Sequence, residues 1–325
     1  MTRLIDGYEA VVSDLDGVVV AGATALAHAV DSVNSLAVPA VFVTNNASRT
    51  PSEVGAMLRG HGIRTSDDRV LTSSFAAARE LAQTVPPGSP VLTVGGPGVA
   101  TCLRDVGLQP RSPQDEGEVV AVVQGYGSGV TAADLGAAAV AIRAGARWIA
   151  TNEDLTLPTE RGPVPGNGSL VAAVRAAVDT DPLVVGKPHP PMYALAADLV
   201  GAGVQRTLAI GDRLETDIAG AEAAGMHTAL VLTGVHGAVD AAGALPTCRP
   251  TYVLEDLRAL TQEYPRGARD GDWSCRGRAR ARCDGPLTVE GRGMDAVRAA
   301  LDALWAAVDA GRITREDARA LMANR

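Results

Sequence analysis

The chain has 325 residues, 46% of them hydrophobic but only 3% aromatic, with a formal net charge of −8. That length suits two domains or slightly more, with cores built mainly from Ala, Val and Leu. The acidic balance argues against nucleic acid as the main partner, because phosphate binding leans on a basic surface, and no apolar run approaches the length of a membrane span.

Short β-branched runs alternate with Ala-rich helical stretches over roughly the first 260 residues, the pattern of an α/β fold. "EAVVS" (9–13), "PAVFVT" (39–44), "LVVG" (183–186), "TLAIG" (207–211) and "TALVLT" (228–233) read as strands of a parallel sheet covered on both faces. Between about residues 75 and 180 the alternation restarts with "PVLTVG" (90–95), "VVAVVQG" (119–125) and "RWIAT" (147–151). Helical stretches such as 131–144 separate them, and the chain returns through "PVPGNGS" (163–169) and a helix over 170–178. The expected division is a Rossmann-like parallel-sheet core from 1–75 and 181–262, an inserted α/β cap over 76–180, and a small C-terminal α+β module over 263–325.

In that tail, "RGARDGDW" reads as a linker. "SCRGRARARC" places Arg276, Arg278, Arg280 and Arg282 at a period of two. A single strand would put all four on one face, solvated or salt-bridged to the acidic body, with contact to an anionic partner the alternative, and would hold Cys275 and Cys283 roughly 26 Å apart. "LTVE" predicts another strand, and Met294, Val297, Leu301, Leu304, Trp305 and Val308 follow at helical spacing. Thr314 and Asp317 make a capping-box start for a last helix.

The cysteines, Cys102, Cys248, Cys275 and Cys283, form no CxxC pair, so a zinc ribbon or thioredoxin-like site is not expected. The first residues carry no signal-peptide pattern. Free thiols in a reducing cytoplasm are the expectation.

The chemistry gathers at the C-terminal ends of the expected strands, where ligands bind in open α/β sheets. Strand 9–13 delivers "DLDG" with Asp14 and Asp16; strand 39–43 delivers "TNNAS" with Thr44 and Asn45; strand 183–185 delivers "GKP"; strand 207–210 delivers "GDRLETD" with Asp212 and Asp217. Of the 29 Lys and Arg residues, Lys187 in "GKP" is the single lysine. A compact ammonium fits where a planar guanidinium fork does not. Several carboxylates in one crevice need a cation, and hard oxygen donors suit Mg²⁺ beside a substrate phosphate. A carboxylate can also attack phosphorus, giving an aspartyl-phosphate. Phosphoryl transfer is mostly positioning plus electrostatics, which a hydroxyl and a lysine supply.

The four motifs in this order resemble the haloacid dehalogenase (HAD) superfamily of phosphatases over roughly residues 6–258. The large insertion, with "VTNNASRT", "PTERGPVPGNGS" and "GDRLETDIAGAEAAGM", resembles its p-nitrophenylphosphatase-like branch. Within that branch the chain is similar to actinobacterial glycerol-3-phosphate phosphatases. The resemblance implies Asp14 as nucleophile, and Asp16 as the acid and base that also binds Mg²⁺ through its carbonyl. Thr44 and Asn45 would hold the phosphoryl group, and Lys187 would stabilise the charge shared by Asp14 and phosphate. Asp212 would bind Mg²⁺, with Asp217 supporting it. The competing reading of Asp217 is a charge at a helix start; Asn46, Ser48 and Arg49 read equally as contacts to substrate or as capping of the helix after Pro51.

Asn152, Glu153, Asp154 and Arg161, in "TNEDLTLPTERG", are the candidate readers of substrate hydroxyls. The expected activity is a Mg²⁺-dependent phosphomonoesterase acting on a small phosphate ester, glycerol 3-phosphate first. Phosphoglycolate, pyridoxal phosphate or a nucleotide are the alternatives, and a non-catalytic phosphate-ligand sensor the distant one. Homo-oligomerisation stays open. "VLTVGGPGVAT" does not complete a G-x-G-x-x-G fingerprint and reads as a tight turn at a helix start. His189 reads as a loop residue held between prolines; His227 and His236 show no ligand spacing.

Overall fold

The computed structural model describes residues 3–157 and 162–325. Two compact units divide the chain: Met1–Ala40 with Val200–Arg325, and Val41–Leu199.

In the first unit, four parallel strands run in the order Tyr252–Leu254, His227–Val231, Thr207–Gly211 and Ala10–Asp14. Ala10–Asp14 and Thr207–Gly211 are buried at every position, as their unbroken apolar runs require. Their register sets Ser13 beside Ile210. Asp14 and Asp212 therefore leave neighbouring strand ends.

The tail differs from its sequence reading in two places. "RGARD" is not a linker: Gly267–Asp270 is a strand, paired antiparallel with Trp273–Arg276 around Gly271, whose φ is 58°. "SCRGRARARC" is not one strand but two, Trp273–Arg276 and Ala279–Cys283, folded back at Gly277. Gly277 has φ 54° and a Cβ there would lie 2.1 Å from Asp295 Oδ2, so the turn needs glycine. The period of two continues through the turn, which is why the alternation gave no warning of it.

The fold-back splits the arginine stripe. Arg276 shares a face with Ala279 and meets Asp302 of the helix Gly293–Asp309 at 2.6 Å. Arg280 and Arg282 lie on the opposite face, over the Trp273 ring at 4.4 and 4.9 Å. Their carboxylate partners, Glu290 and Asp284, also belong to the tail. Leu287–Glu290 completes the four-stranded antiparallel sheet, and the amphipathic helix and the capping box of Arg315–Ala323 stand where the sequence put them. All four cysteines are free.

This tail shares one hydrophobic core with the parallel sheet: Leu301, Leu304, Ala279 and Ala281 are buried with Leu214, Ile218, Leu230 and Val253. Trp305 Nε1 donates to the Ala241 carbonyl at 2.8 Å, and Arg249 holds Asp309 at 2.7 Å.

The second unit contains the parallel pair Ala40–Thr44 and Val70–Thr72 and a five-stranded parallel sheet. The latter runs Leu183–Val184, Arg147–Ala150, Ala121–Gln124, Pro90–Val94, Gln109–Arg111. Strand 183–184 thus pairs with Arg147–Ala150, so Lys187 leaves this sheet and not the one that carries Asp14. Three apolar residues fit either sheet equally well, and the sequence pattern could not assign them. The helix Pro97–Asp105 starts at "GGPG", as the tight-turn reading expects. Among the described residues no helix is long and apolar enough to cross a membrane.

Candidate active site

In the first unit the site begins at three buried carboxylates. Asp14, Asp212 and Asp217 each offer an oxygen within 4.8 Å of the others. Backbone donors hold two of them. Asp212 Oδ2 accepts the Val235 N–H at 2.8 Å, and Asp217 Oδ2 accepts the Arg213 N–H at 3.1 Å. Asp217 lies in the short wide turn Leu214–Ile218 that opens the helix, so its helix-start and site positions coincide.

Glycines make room for this cluster. A Cβ on Gly17 would lie 2.2 Å from Asp212 Oδ2, one on Gly234 2.1 Å from the same atom, and one on Gly211 2.1 Å from the Asp217 Cβ. Gly17 also takes φ 80° and donates to the Val20 carbonyl at 2.7 Å, which turns the chain directly after Asp16. Asp16 is exposed, ahead of that turn.

His236, which the sequence gave no role, supports the cluster's frame. Its ring Nδ1 accepts the Leu214 N–H at 2.9 Å, and its backbone N–H donates to the Asp212 carbonyl at 3.1 Å. His227 bonds the Tyr8 hydroxyl at 2.9 Å.

In the second unit Asn45, Asn152, Asp154 and Lys187 meet at loops that follow three strands, with Thr44 at the end of the strand before Asn45. Thr44 Oγ1 accepts the Asn46 N–H at 3.1 Å. Asn45 Oδ1 accepts the Lys187 N–H at 2.8 Å, while its Nδ2 donates to the Lys187 carbonyl at 3.0 Å and to Asp154 Oδ2 at 3.1 Å. Lys187 is 4% exposed. Gly186 precedes it because a Cβ there would meet the Thr151 carbonyl at 2.3 Å.

Asn152 is also buried. Its Nδ2 donates to the Asn45 carbonyl at 2.8 Å and its Oδ1 accepts the Asp154 N–H at 3.2 Å. Glu153 binds Arg175 at 2.9 Å, with His189 at 3.6 Å. Arg161, the fourth expected cap residue, lies outside the described residues. Helix capping after "TNNAS" falls to Thr50 with Glu53, and Asn46 instead accepts from Ser48. Asn167, absent from the expected site, donates to the Asn152 carbonyl at 2.7 Å.

Burial pushes the Cys102 thiol up to about 12, leaving it protonated at neutral pH.

Buried carboxylates on a parallel α/β sheet, with "DLDG" and "GDRLETD" at adjacent strand ends, define a HAD-type hydrolase. Residues 11–109 match the haloacid dehalogenase-like hydrolase family, and 184–260 match the HAD-hydrolase-like family. The chain belongs to the HAD superfamily. It is 46% identical over 265 residues to D-glycerol 3-phosphate phosphatase of Mycobacterium tuberculosis, covering 81% of this chain and 74% of that protein. The magnesium complex of a glycerol phosphate phosphatase from the same organism superposes with a TM-score of 0.84 at 41% identity, over 94% of this chain and 93% of that one. The p-nitrophenyl phosphatase of Archaeoglobus fulgidus gives 0.73 at 29% identity, over 78% and 98%.

Proposed function

We propose that the protein is a Mg²⁺-dependent phosphomonoesterase that hydrolyses glycerol 3-phosphate to glycerol and phosphate. The observation that carries the reading is the buried cluster of Asp14, Asp212 and Asp217. Three carboxylates this close repel one another without a cation, and an all-oxygen donor set suits Mg²⁺. Asp14, Asp212, Asp217 and the Asp16 carbonyl would hold the ion, which when bound neutralises negative charge on the substrate's phosphoryl oxygens.

The chain's own residues account for the steps. An Asp14 oxygen attacks phosphorus, and the ester oxygen leaves with the bonding pair. Asp16, exposed at the turn before Gly17, donates its proton to that alkoxide. The resulting Asp16 carboxylate takes a proton from water, which attacks the aspartyl-phosphate and releases phosphate and free Asp14. Thr44 holds the phosphoryl group through its hydroxyl and Asn45 through its backbone N–H, its side-chain amide being taken by Lys187 and Asp154, and Lys187 offsets the charge.

Residues 76–180 act as the cap, with Asn152, Glu153, Asp154 and Arg161 in the loop that recognises the leaving alcohol. Residues 1–75 and 181–262 form the catalytic body, and 263–325 brace it. The low aromatic content favours a polyol over a nucleobase or pyridoxal. The 46% identical relative that bears the glycerol phosphate name supports the same choice. Four free cysteines suit a reducing cytoplasm.

The test is release of phosphate from p-nitrophenyl phosphate with and without Mg²⁺, followed by a panel of phosphate esters. Mg²⁺-dependent turnover with glycerol 3-phosphate leading the panel is the expected result. Turnover led by phosphoglycolate, pyridoxal phosphate or a nucleotide overturns the substrate, and tight phosphate binding with no turnover on any ester turns the enzyme into a sensor.

A further inference from the structure

We infer that Asn167 is a positioning residue for Lys187, acting through a chain of asparagine amides that fixes the lysine's backbone. The inference rests on the reading of Lys187 as the residue that offsets phosphoryl charge.

Asn167 opens the helix Asn167–Arg175 and is 1% exposed. Its Nδ2 donates to the Asn152 carbonyl at 2.7 Å and to the Gln124 carbonyl at 3.4 Å. Asn152 Nδ2 donates onward to the Asn45 carbonyl at 2.8 Å. Asn45 then holds both the N–H and the carbonyl of Lys187. At every step a side-chain amide grips a backbone group, so the chain fixes loop position. Two carbonyl oxygens around one amide group require its nitrogen to face them. Among the described residues Asn167 Oδ1 has no hydrogen-bond partner. The polar contribution of Asn167 therefore lies in its two donated bonds.

The neighbouring backbone packs tightly enough to pass on a shift. A Cβ on Gly166 would lie 2.2 Å from the Asp154 carbonyl oxygen, and one on Gly168 2.2 Å from that of Glu153. "GNG" therefore lies backbone against backbone with the loop 152–154. Asp154, on that loop, accepts from the same Asn45 Nδ2. Displacing Asn167 moves the loop, and the loop moves Asn45 and Lys187. A small misplacement of a catalytic group is enough to cost a large factor in rate.

The experiment compares the full chain with Asn167→Ala, Asn167→Asp, Asn45→Ala, the Asn45→Ala/Asn167→Ala double variant and Lys187→Ala, all on p-nitrophenyl phosphate with saturating Mg²⁺. Thermal melts accompany each. Asn167→Ala should lower kcat at least about tenfold with KM moved less than about threefold. The double variant should lose little more than Asn45→Ala alone, because both substitutions cut one chain.

Asn167→Asp sets an acidic oxygen against two carbonyls. Its kcat should be low at pH 8 and climb as the pH falls, when the protonated carboxyl can donate one of the lost bonds. The charged groups on the loop packed against it, Asp154 and Glu153 with Arg175 and His189, are the same in wild type. The wild-type profile is therefore the baseline, and the climb should be absent from it and from Asn167→Ala. Should Asn167→Ala fail to fold, the pH profile of Asn167→Asp decides. Wild-type kcat in Asn167→Ala beside an inactive Lys187→Ala, additive losses in the double variant, or an Asn167→Asp profile parallel to wild type would each overturn the inference. Retained activity in Lys187→Ala would instead remove the reading of the lysine, and the inference with it.

Discussion

Asn45 and Lys187, 142 residues apart in sequence, are joined as two paired strands are: Oδ1 takes the lysine N–H at 2.8 Å and Nδ2 gives to its carbonyl at 3.0 Å. The amide thus serves as a backbone clamp for the residue beside it. Asn45→Ala removes both bonds and should lower kcat on p-nitrophenyl phosphate by about 10²-fold, the order expected when a catalytic group is misplaced by about 1 Å. Asn45→Asp should fare no better, since its second oxygen would face the Lys187 and Asp154 oxygens. Steady-state kinetics with a melt to verify folding measure this; wild-type kcat in either variant excludes the clamp.

Lys187 itself is buried, 4% exposed. Lys187→Arg keeps the charge but brings a wider, planar group. It should lose at least about 10²-fold in kcat, and Asp14→Asn should abolish turnover while both proteins stay folded. An active Lys187→Arg would make the single lysine an accident of composition. Activity in Asp14→Asn would remove it as nucleophile.

The carboxylate cluster makes a prediction that needs no turnover. Saturating Mg²⁺ should raise the melting temperature, by linkage of about 2.7 kcal/mol at a hundredfold excess over Kd. EDTA should abolish both the shift and phosphatase activity, and added Mg²⁺ should restore them. Asp212→Asn and Asp217→Asn should flatten the shift, because each removes one carboxylate from the trio. A shift of wild-type size in both variants would place the metal elsewhere.

Motif positions were legible because the strands that carry them are short, apolar and end in chemistry. "DLDG" and "GDRLETD" end strands as read, and the pairing of Ser13 with Ile210 makes those strands neighbours. Strand 183–184 joins the other sheet, pairing with Arg147–Ala150, a choice its few apolar residues do not encode. Asn167 was invisible for a different reason. A lone Asn between two glycines reads as a turn, and only the two carbonyls above it reveal a support. The tail hairpin was missed where the alternation of arginines ran on through Gly277.

The shared core of the tail and the parallel sheet predicts that they melt together. Leu304 is fully buried among Leu301, Leu230 and Val253. Leu304→Ala should cost about 2–5 kcal/mol and lower the transition that Mg²⁺ shifts. Deleting 263–325 should leave Leu230 and Val253 uncovered and the remaining chain prone to aggregation. A Mg²⁺-sensitive transition unmoved by Leu304→Ala would make the tail an independent module.

Glycerol 3-phosphate offers two hydroxyls beyond the phosphate, and propyl phosphate offers none. A site built to bond hydroxyls leaves polar groups unpaired when the substrate lacks them, which gives sharp discrimination. kcat/KM for glycerol 3-phosphate should therefore exceed that for propyl phosphate at least about tenfold, or about 1.4 kcal/mol. Asn152 is a poor place to test the cap alone, because its amide also holds the Asn45 carbonyl and Asp154 N–H. Glu153, paired with Arg175 at the edge of the loop, is the cleaner probe. Glu153→Ala should narrow the gap between the two esters while slowing p-nitrophenyl phosphate less than about threefold. Equal kcat/KM on the two alkyl phosphates would leave the phosphatase chemistry standing and remove glycerol 3-phosphate as its substrate.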